Sequence, residues 1–499
     1  MAALAILVAA VWPLPQPAFF DYAPTPDAPE YLAGAVSLAH DGQHAIEIAG
    51  EKYPSRYPIG FSAAIAPFLA CGVEPKQAPF VVSALAGLHL LILVFATLWI
   101  CVGSTAAGLG ALLLATTPAF VVLARAPMAE LTASLWTTAG VVLCFVYVHR
   151  GRLWQGTIGA LFLGLATIFR LGNLFFAPIV LLSLLAVRGQ VKRPLLHTTV
   201  ILLALAAGCL PVLLSQWVAL GDPLATGYAF WIPDHASISS SFGFSHLFDN
   251  LRYLARDFAQ LEWKTTVATY YGTGSYFGPA SLVILALCLG RALRTPCFRW
   301  PAIGVAAYAL MMLAYFFQDA RFFFALVPLA AVLVAWQSVE MLRSSTRPLK
   351  VVVAILLGLH CLGIPGPGLP SELPELLAPS QRDPTWRFEL IDGLRDKPPG
   401  LVFSTFSPPY GKALLGESWT VSPARDVHDY MWSSEFVFRG PERQTQMRKF
   451  VAAGNPIYLV ADVEFAAALA ETAPLDGHVW ITLSTTGNDG GTAELRSQD

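Results

Sequence analysis

The chain has 499 residues, 55% hydrophobic and 13% charged, with a mean hydropathy of +0.57 and a formal net charge of −2. Average soluble domains carry about 25% charged residues, so this composition excludes an ordinary soluble multi-core protein. The near-neutral balance also leaves no electrostatic footprint for a nucleic-acid partner.

Apolar runs of bilayer length recur along the chain. They cover the start to about Leu14, then 78–100, 104–124, 129–148, 153–169, 172–187, 196–219, 277–292, 301–317, 321–342 and 349–364. About 20 apolar residues cross the hydrocarbon core, so the expectation is an α-helical polytopic membrane protein of about 11 transmembrane helices. The first run has no basic flank and no small-residue cleavage site before Pro13 and Pro15, and reads as a trimmed first helix rather than a signal peptide.

Lys and Arg set the sidedness. The turns that would face inward hold Arg150, Arg152, Arg188, Lys192, Arg193, Arg291, Arg294, Arg299, Arg343, Arg347 and Lys350. The longer outward segments hold fewer, which is the positive-inside pattern of a multi-pass inner or plasma membrane protein. A transmembrane module over 1–365 then presents two outer loops, 15–77 and 220–276, and a tail at 366–499 lies extracytoplasmically. In the tail, residues 400–405, 456–462 and 478–484 read as strands, while 384–396, 441–453 and 463–472 read as helices. The expectation is a small C-terminal α/β domain.

Cys101, Cys144, Cys209, Cys288, Cys297 and Cys361 fall in spans or at their inner ends and Cys71 lies outside, which gives no disulfide framework and no zinc spacing. Soluble catalytic signatures are absent: there is no GxxxxGK[ST], HExxH, GxSxG or strand-linked GxGxxG. The informative signal is charge at the outer ends of the spans. The first loop carries Asp27, Glu30, Lys52 and Arg56; its stripes Tyr31, Leu32, Ala35, Leu38 and Phe61 to Leu69 read as short interfacial amphipathic helices. Glu130 follows Arg125 at the start of the fourth span, Arg170 ends the fifth, and Asp319 and Arg321 share a short turn before the tenth. Ionisable groups beside hydrocarbon read either as functional residues or as helix-end acids and snorkelling bases.

In order and spacing, PDAPEYLAGAVSLAHDG, GEKYPSRYPIGFSAAIAPF, RAPMAELTASLW, LGDPLATGY and QDARFFFALVPLAAVL resemble segments of the C-type membrane glycosyltransferases. The likeness is to the protein-mannosyltransferase and aminoarabinose-transferase-like branch and covers roughly residues 1–345. It implies an inverting glycosyltransferase of the cell envelope that takes a sugar from a polyprenyl-phosphate donor at the outer face and passes it to a glycan, lipid or protein acceptor. On that likeness Asp27 and Glu130 are the catalytic acids. Arg56, Arg170, Arg321 and Lys52 are candidates for the donor phosphate, and Glu30, Tyr57 and Asp319 for the pocket. His40 and Tyr53 read either as pocket or as belt residues. The family's first-loop acid is often followed by a second acid, where this chain has Ala28. No cofactor is required, although magnesium or manganese held by carboxylates and phosphate is compatible with the residues. A multi-pass transporter or flippase is the alternative reading.

Overall fold

The computed structural model describes residues 27–124, 126–231, 241–259, 279–294, 296–316, 320–361, 393–404, 408–423, 449–450, 452–460, 480–484 and 494–498. The apolar start, Arg125, Asp319 and most of the expected tail helices lie outside the described residues.

Helix α1 (Ala28–Asp41) starts with Pro29 in its first turn, where a missing N–H costs nothing, and ends at Gly42. There a φ of 68° turns the Gly42 N–H back onto the Leu38 carbonyl at 3.2 Å. A hairpin follows, β1 (Ala45–Ile48) against β2 (Glu51–Pro54), with Ala45 opposite Pro54. Ala49 and Gly50, at φ 58° and 87°, form its left-handed turn. Helix α2 (Gly60–Ala70) completes the loop.

The helices beyond are α3 (Ala78–Cys101), α4 (Ser104–Ala115), α5 (Pro118–Leu123), α6 (Glu130–Arg150), α7 (Leu153–Ala166), α8 (Ala177–Val187) and α9 (Pro194–Leu220). Then come α10 (Gly227–Trp231), α11 (Phe244–Ala259), α12 (Pro279–Arg294), α13 (Pro296–Leu313), α14 (Leu326–Ser344) and α15 (Arg347–Cys361). One predicted span, 104–124, is two helices. Pro118 has no N–H to continue the ladder, and the hydroxyls of Thr116 and Thr117 donate back to Leu112 and Leu113 at 2.8 Å. Short 3-10 turns, Leu171–Phe176 and Ala320–Phe323, lead into α8 and α14.

Four helices, α3, α6, α9 and α14, are long and apolar enough to cross a membrane, and several shorter apolar helices accompany them. Their outward faces leave Ile100, Leu185 and Leu203 at 69%, 60% and 64% exposure, which water would not tolerate and lipid covers. The protein is a membrane protein. One apolar core joins α3, α4 and α5 to α12, α14 and α15 through residues such as Leu90, Leu114, Phe120, Cys288, Val334 and Leu357. A second joins α6, α7, α8, α9 and α13 through Tyr147, Leu163, Ile179, Ile201 and Tyr308.

A third core is built by the first loop. Tyr31 and Ala35 pack with Phe61, Ile65, Val82, Ala133 and Phe169. Every residue from Ala28 to Ala35 is buried. This corrects the expectation of an interfacial helix with one exposed face: the N-terminal half of α1 is covered all round.

Part of that cover comes from the tail. Its sheet, in order β4-β3-β5-β6-β7, comprises β3 (Leu401–Ser404), β4 (Thr420–Pro423), β5 (Ile457–Val460), β6 (Trp480–Ser484) and β7 (Glu494–Gln498). All neighbours are parallel except β7. The three expected strands fall on β3, β5 and β6; β4 and the polar β7, which lie at the two edges, give little apolar signal. Helix α16 (Pro408–Leu415) lays Ala413 and Leu414 on Leu32 of α1. Lys412 reaches Glu47 of β1 at 2.8 Å, and the Ala49 N–H donates to the Val421 carbonyl at 2.8 Å, capping the edge strand.

Candidate active site

Asp27 stands where an N-cap would, but its backbone is already helical and its side chain makes no cap. The carboxylate turns inward instead. Tyr57 donates its hydroxyl to Oδ1 at 2.7 Å, and Arg321 Nη1 lies 2.8 Å from Oδ2. Arg170 Nη2 is 4.0 Å from the same oxygen.

Glu130 opens α6 and is buried, at 2% exposure. Its Oε1 accepts Arg170 Nη2 and lies 3.8 Å from Arg321 Nε, while its buried Oε2 has no hydrogen-bond partner among the described residues. The two arginines are therefore each shared between two acids that sit about a hundred residues apart in sequence. Phe322 supports both cations from beneath. Its ring centre is 4.9 Å from the Arg170 guanidinium and 5.6 Å from that of Arg321. Tyr308 fixes the Phe322 backbone by donating to its carbonyl at 2.6 Å.

Close packing delivers these groups to one place. The Gly60 N–H donates to the Ile168 carbonyl at 2.7 Å, two residues before Arg170. A Cβ on Gly60 would stand 2.5 Å from that carbonyl oxygen, so only glycine permits this approach of the first loop to the end of α7. On the other side, Gly227 comes so near Ser55 and Arg56 that a Cβ would clash with the Ser55 carbonyl oxygen. The Trp231 indole N–H donates to the Pro54 carbonyl at 2.8 Å and locks α10 onto the hairpin.

Glu30 and Arg56 form a second, closed pair beside the first. Arg56 Nε donates to Glu30 Oε1 at 2.5 Å, its Nη2 lies on the same oxygen, and its backbone N–H donates to Oε2 at 3.1 Å. Glu30 thus holds the Arg56 loop.

Among the other predicted residues, Lys52 is taken up by Asp41 at 2.6 Å on an exposed face and makes none of the described contacts of the Asp27 cluster. Tyr53 donates to Glu51, and the exposed His40 pairs with Glu417 at 3.2 Å. The residue of the cluster that sequence reasoning did not single out is Phe322, whose only signal was that it sits in an aromatic run beside Arg321.

Electrostatically the network is balanced, with Asp27, Glu30 and Glu130 against Arg56, Arg170 and Arg321. Burial pushes the Asp27 carboxyl up, but Arg321, Arg170 and the Tyr57 hydrogen bond outweigh it and hold the group below the usual carboxylate range. Among the described residues no cluster of three His, Cys, Asp or Glu is arranged for a metal. Asp27 and Glu130 are already occupied by guanidinium groups, so the geometry does not match a ready cation site. It matches a site for an anion: two cations converge on one point, with acids that can take a proton beside them.

Residues 56–214 match the family model of dolichyl-phosphate-mannose-protein mannosyltransferases. No curated protein sequence matches the chain. Among solved structures, the chain is similar to ArnT from Cupriavidus metallidurans bound to undecaprenyl phosphate, with a TM-score of 0.59 and 13% identity over 96% of this chain and 95% of that one. The apo state of the same protein gives a TM-score of 0.60 and 14% identity over the same shares. The site is thus assembled on an ArnT-like fold, within and beside the matched segment. Over residues 56–214, then, the chain is similar to the dolichyl-phosphate-mannose-protein mannosyltransferases, and over nearly its whole length it shares the fold of ArnT.

Proposed function

We propose that the protein transfers a sugar from a polyprenyl-phosphate donor to a hydroxyl acceptor at the outer face of the inner or plasma membrane, with inversion at the anomeric carbon. The observation that carries this reading is the convergence of Arg170 and Arg321 on Asp27 and Glu130 from separate loops. The presence of undecaprenyl phosphate in the similar ArnT structure supports a lipid-phosphate donor. The positive-inside distribution supports the outer placement of the first loop and the tail.

The donor phosphate binds between Arg170 and Arg321, each a planar fork suited to phosphoryl oxygens. Arginines that turn to phosphate loosen their hold on Asp27, and its carboxylate becomes more basic as they leave. The acceptor oxygen then attacks the anomeric carbon from the face opposite the phosphate. The bond from that carbon to the phosphate oxygen breaks, its electron pair goes to the phosphate, and the acceptor proton goes to Asp27. Glu130 keeps Arg170 and Arg321 aimed before the donor arrives. No metal is needed for this sequence, since the cations that meet the leaving phosphate are guanidinium groups.

The test is sugar transfer by purified protein in lipid, with a panel of polyprenyl-phosphate sugars offered to wild type and Asp27→Asn. A positioned base contributes on the order of 10²–10⁴-fold. Loss of that size in a variant that remains folded supports the assignment. Equal turnover by both proteins removes Asp27 as base, and vectorial movement of a lipid without transfer would favour a flippase.

A further inference from the structure

Resting on that reading, we infer that Tyr228 is a substrate-contacting residue whose hydroxyl donates a hydrogen bond to the phosphoryl group of the lipid-phosphate donor. Tyr228 lies on α10, the segment that Gly227 and Trp231 fasten to the first loop. Its ring meets Tyr57 edge-on, with centres 6.2 Å apart and planes at 90°. Tyr57 in turn holds Asp27, so one aromatic contact separates Tyr228 from the proposed base.

The body of the Tyr228 ring packs with Tyr53 against Ala33, Ile46 and Trp231, so its direction is set by the fold. Its phenol oxygen lies in the field of Asp27, Arg56, Arg321 and Arg170 together. Despite that company, the hydroxyl has no hydrogen-bond partner among the described residues. Nor is it one of the buried, unpartnered polar atoms, so it opens toward space rather than being walled in. The carboxylates of Asp27 and Glu30 are engaged: Tyr57 takes one Asp27 oxygen and Arg321 the other, while Arg56 takes both oxygens of Glu30.

The charge balance gives this donor its use. Three acids already offset three arginines, so an incoming phosphate must compete with carboxylates for every guanidinium. A neutral hydroxyl adds a donor to the anion without a charge that the resting site would have to compensate. Tyrosine buried by its body and open at its tip provides that. In the neighbouring aromatic wall, the Tyr57 hydroxyl is committed to Asp27, and the ring of Tyr315 packs on Phe242, Phe316 and Phe322.

The experiment is equilibrium binding of a polyprenyl phosphate to full-length protein in nanodiscs, comparing wild type, Tyr228→Phe and Tyr228→Ala, followed by transfer kinetics. Tyr228→Phe keeps the ring packing and removes one oxygen. Loss of a hydrogen bond to a charged group corresponds to roughly a tenfold to hundredfold weaker dissociation constant, with KM for the donor rising in step. Tyr228→Ala should weaken binding at least as much. Unchanged affinity and KM in Tyr228→Phe, alongside wild-type binding and transfer, overturns the Tyr228 assignment and leaves the functional reading standing. A wild-type protein that binds no polyprenyl phosphate overturns both.

Discussion

Arg56 was a candidate for the donor phosphate, yet the structure surrounds it with Glu30, and the two roles predict different losses. The perturbation is Glu30→Ala. In the folded protein the side chains of Arg56 and Glu30 are 5% and 1% exposed, and Glu30 accepts from both the guanidinium and the backbone of Arg56. At an effective dielectric of about 20, unit charges about 3 Å apart attract by about 5 kcal/mol. Desolvating two ions costs a similar amount, so the intact pair adds little net stability, whereas an orphaned partner costs about 3–5 kcal/mol. Glu30→Ala should therefore destabilise by about that much, and Arg56→Met alone by a similar amount. The double variant Glu30→Met/Arg56→Met should recover most of the loss, because no buried charge is left. The assay is reversible denaturant unfolding in detergent, closed as a double-mutant cycle, with donor KM measured on each protein. Additive losses, or single losses under about 1 kcal/mol, would refute the account of a buried closed pair. A donor KM that rises in Arg56→Met with unchanged stability would return Arg56 to the phosphate.

Two further outcomes follow from the same geometry. Gly60→Ala forces a Cβ against the Ile168 carbonyl and must push the first loop away from Arg170; misplacement of about 1 Å at a reacting centre lowers the rate by about 100-fold, so kcat should fall by one to two orders of magnitude in transfer assays, and wild-type kcat would show that the loop contact does not position the site. His44 is half-buried with its ring toward Gly34 and its Nε2 buried and unpartnered among the described residues, and desolvation lowers its pKa from 6.5 to about 4. Above pH 6.5 the ring is neutral in both folded and unfolded chains; as pH falls toward 4 only the unfolded chain takes the proton, so folding weakens by up to about 3 kcal/mol. Thermal unfolding against pH should be shallower for His44→Gln than for wild type between those values, and identical slopes would rule out the buried neutral ring.

Much of the architecture follows from residue order alone. Bilayer-length apolar runs need no partner to be recognised, because a helix satisfies its own backbone in lipid. Apart from α10 and α11, which fall in the loop expected at 220–276, and the break that Pro118 forces, the helices found between 78 and 361 accordingly fall on the predicted apolar runs. The strands at 401–404, 457–460 and 480–484 were legible from apolar, β-branched runs, while the edge strands β4 and β7 were not. The acids and arginines that matter were also visible as charges where hydrocarbon ends. Their partners were not. Nothing in the spacing of Asp27, Glu130, Arg170 and Arg321 says that each arginine is shared, nor that Glu30 belongs to Arg56 and Lys52 to Asp41. Those choices depend on close backbone approaches across distant loops, at Gly60 and Gly227, and on aromatic supports such as Phe322 and Tyr228. Pairing energies act over a few ångströms, and only the folded chain brings residues 27, 130, 170 and 321 within that range.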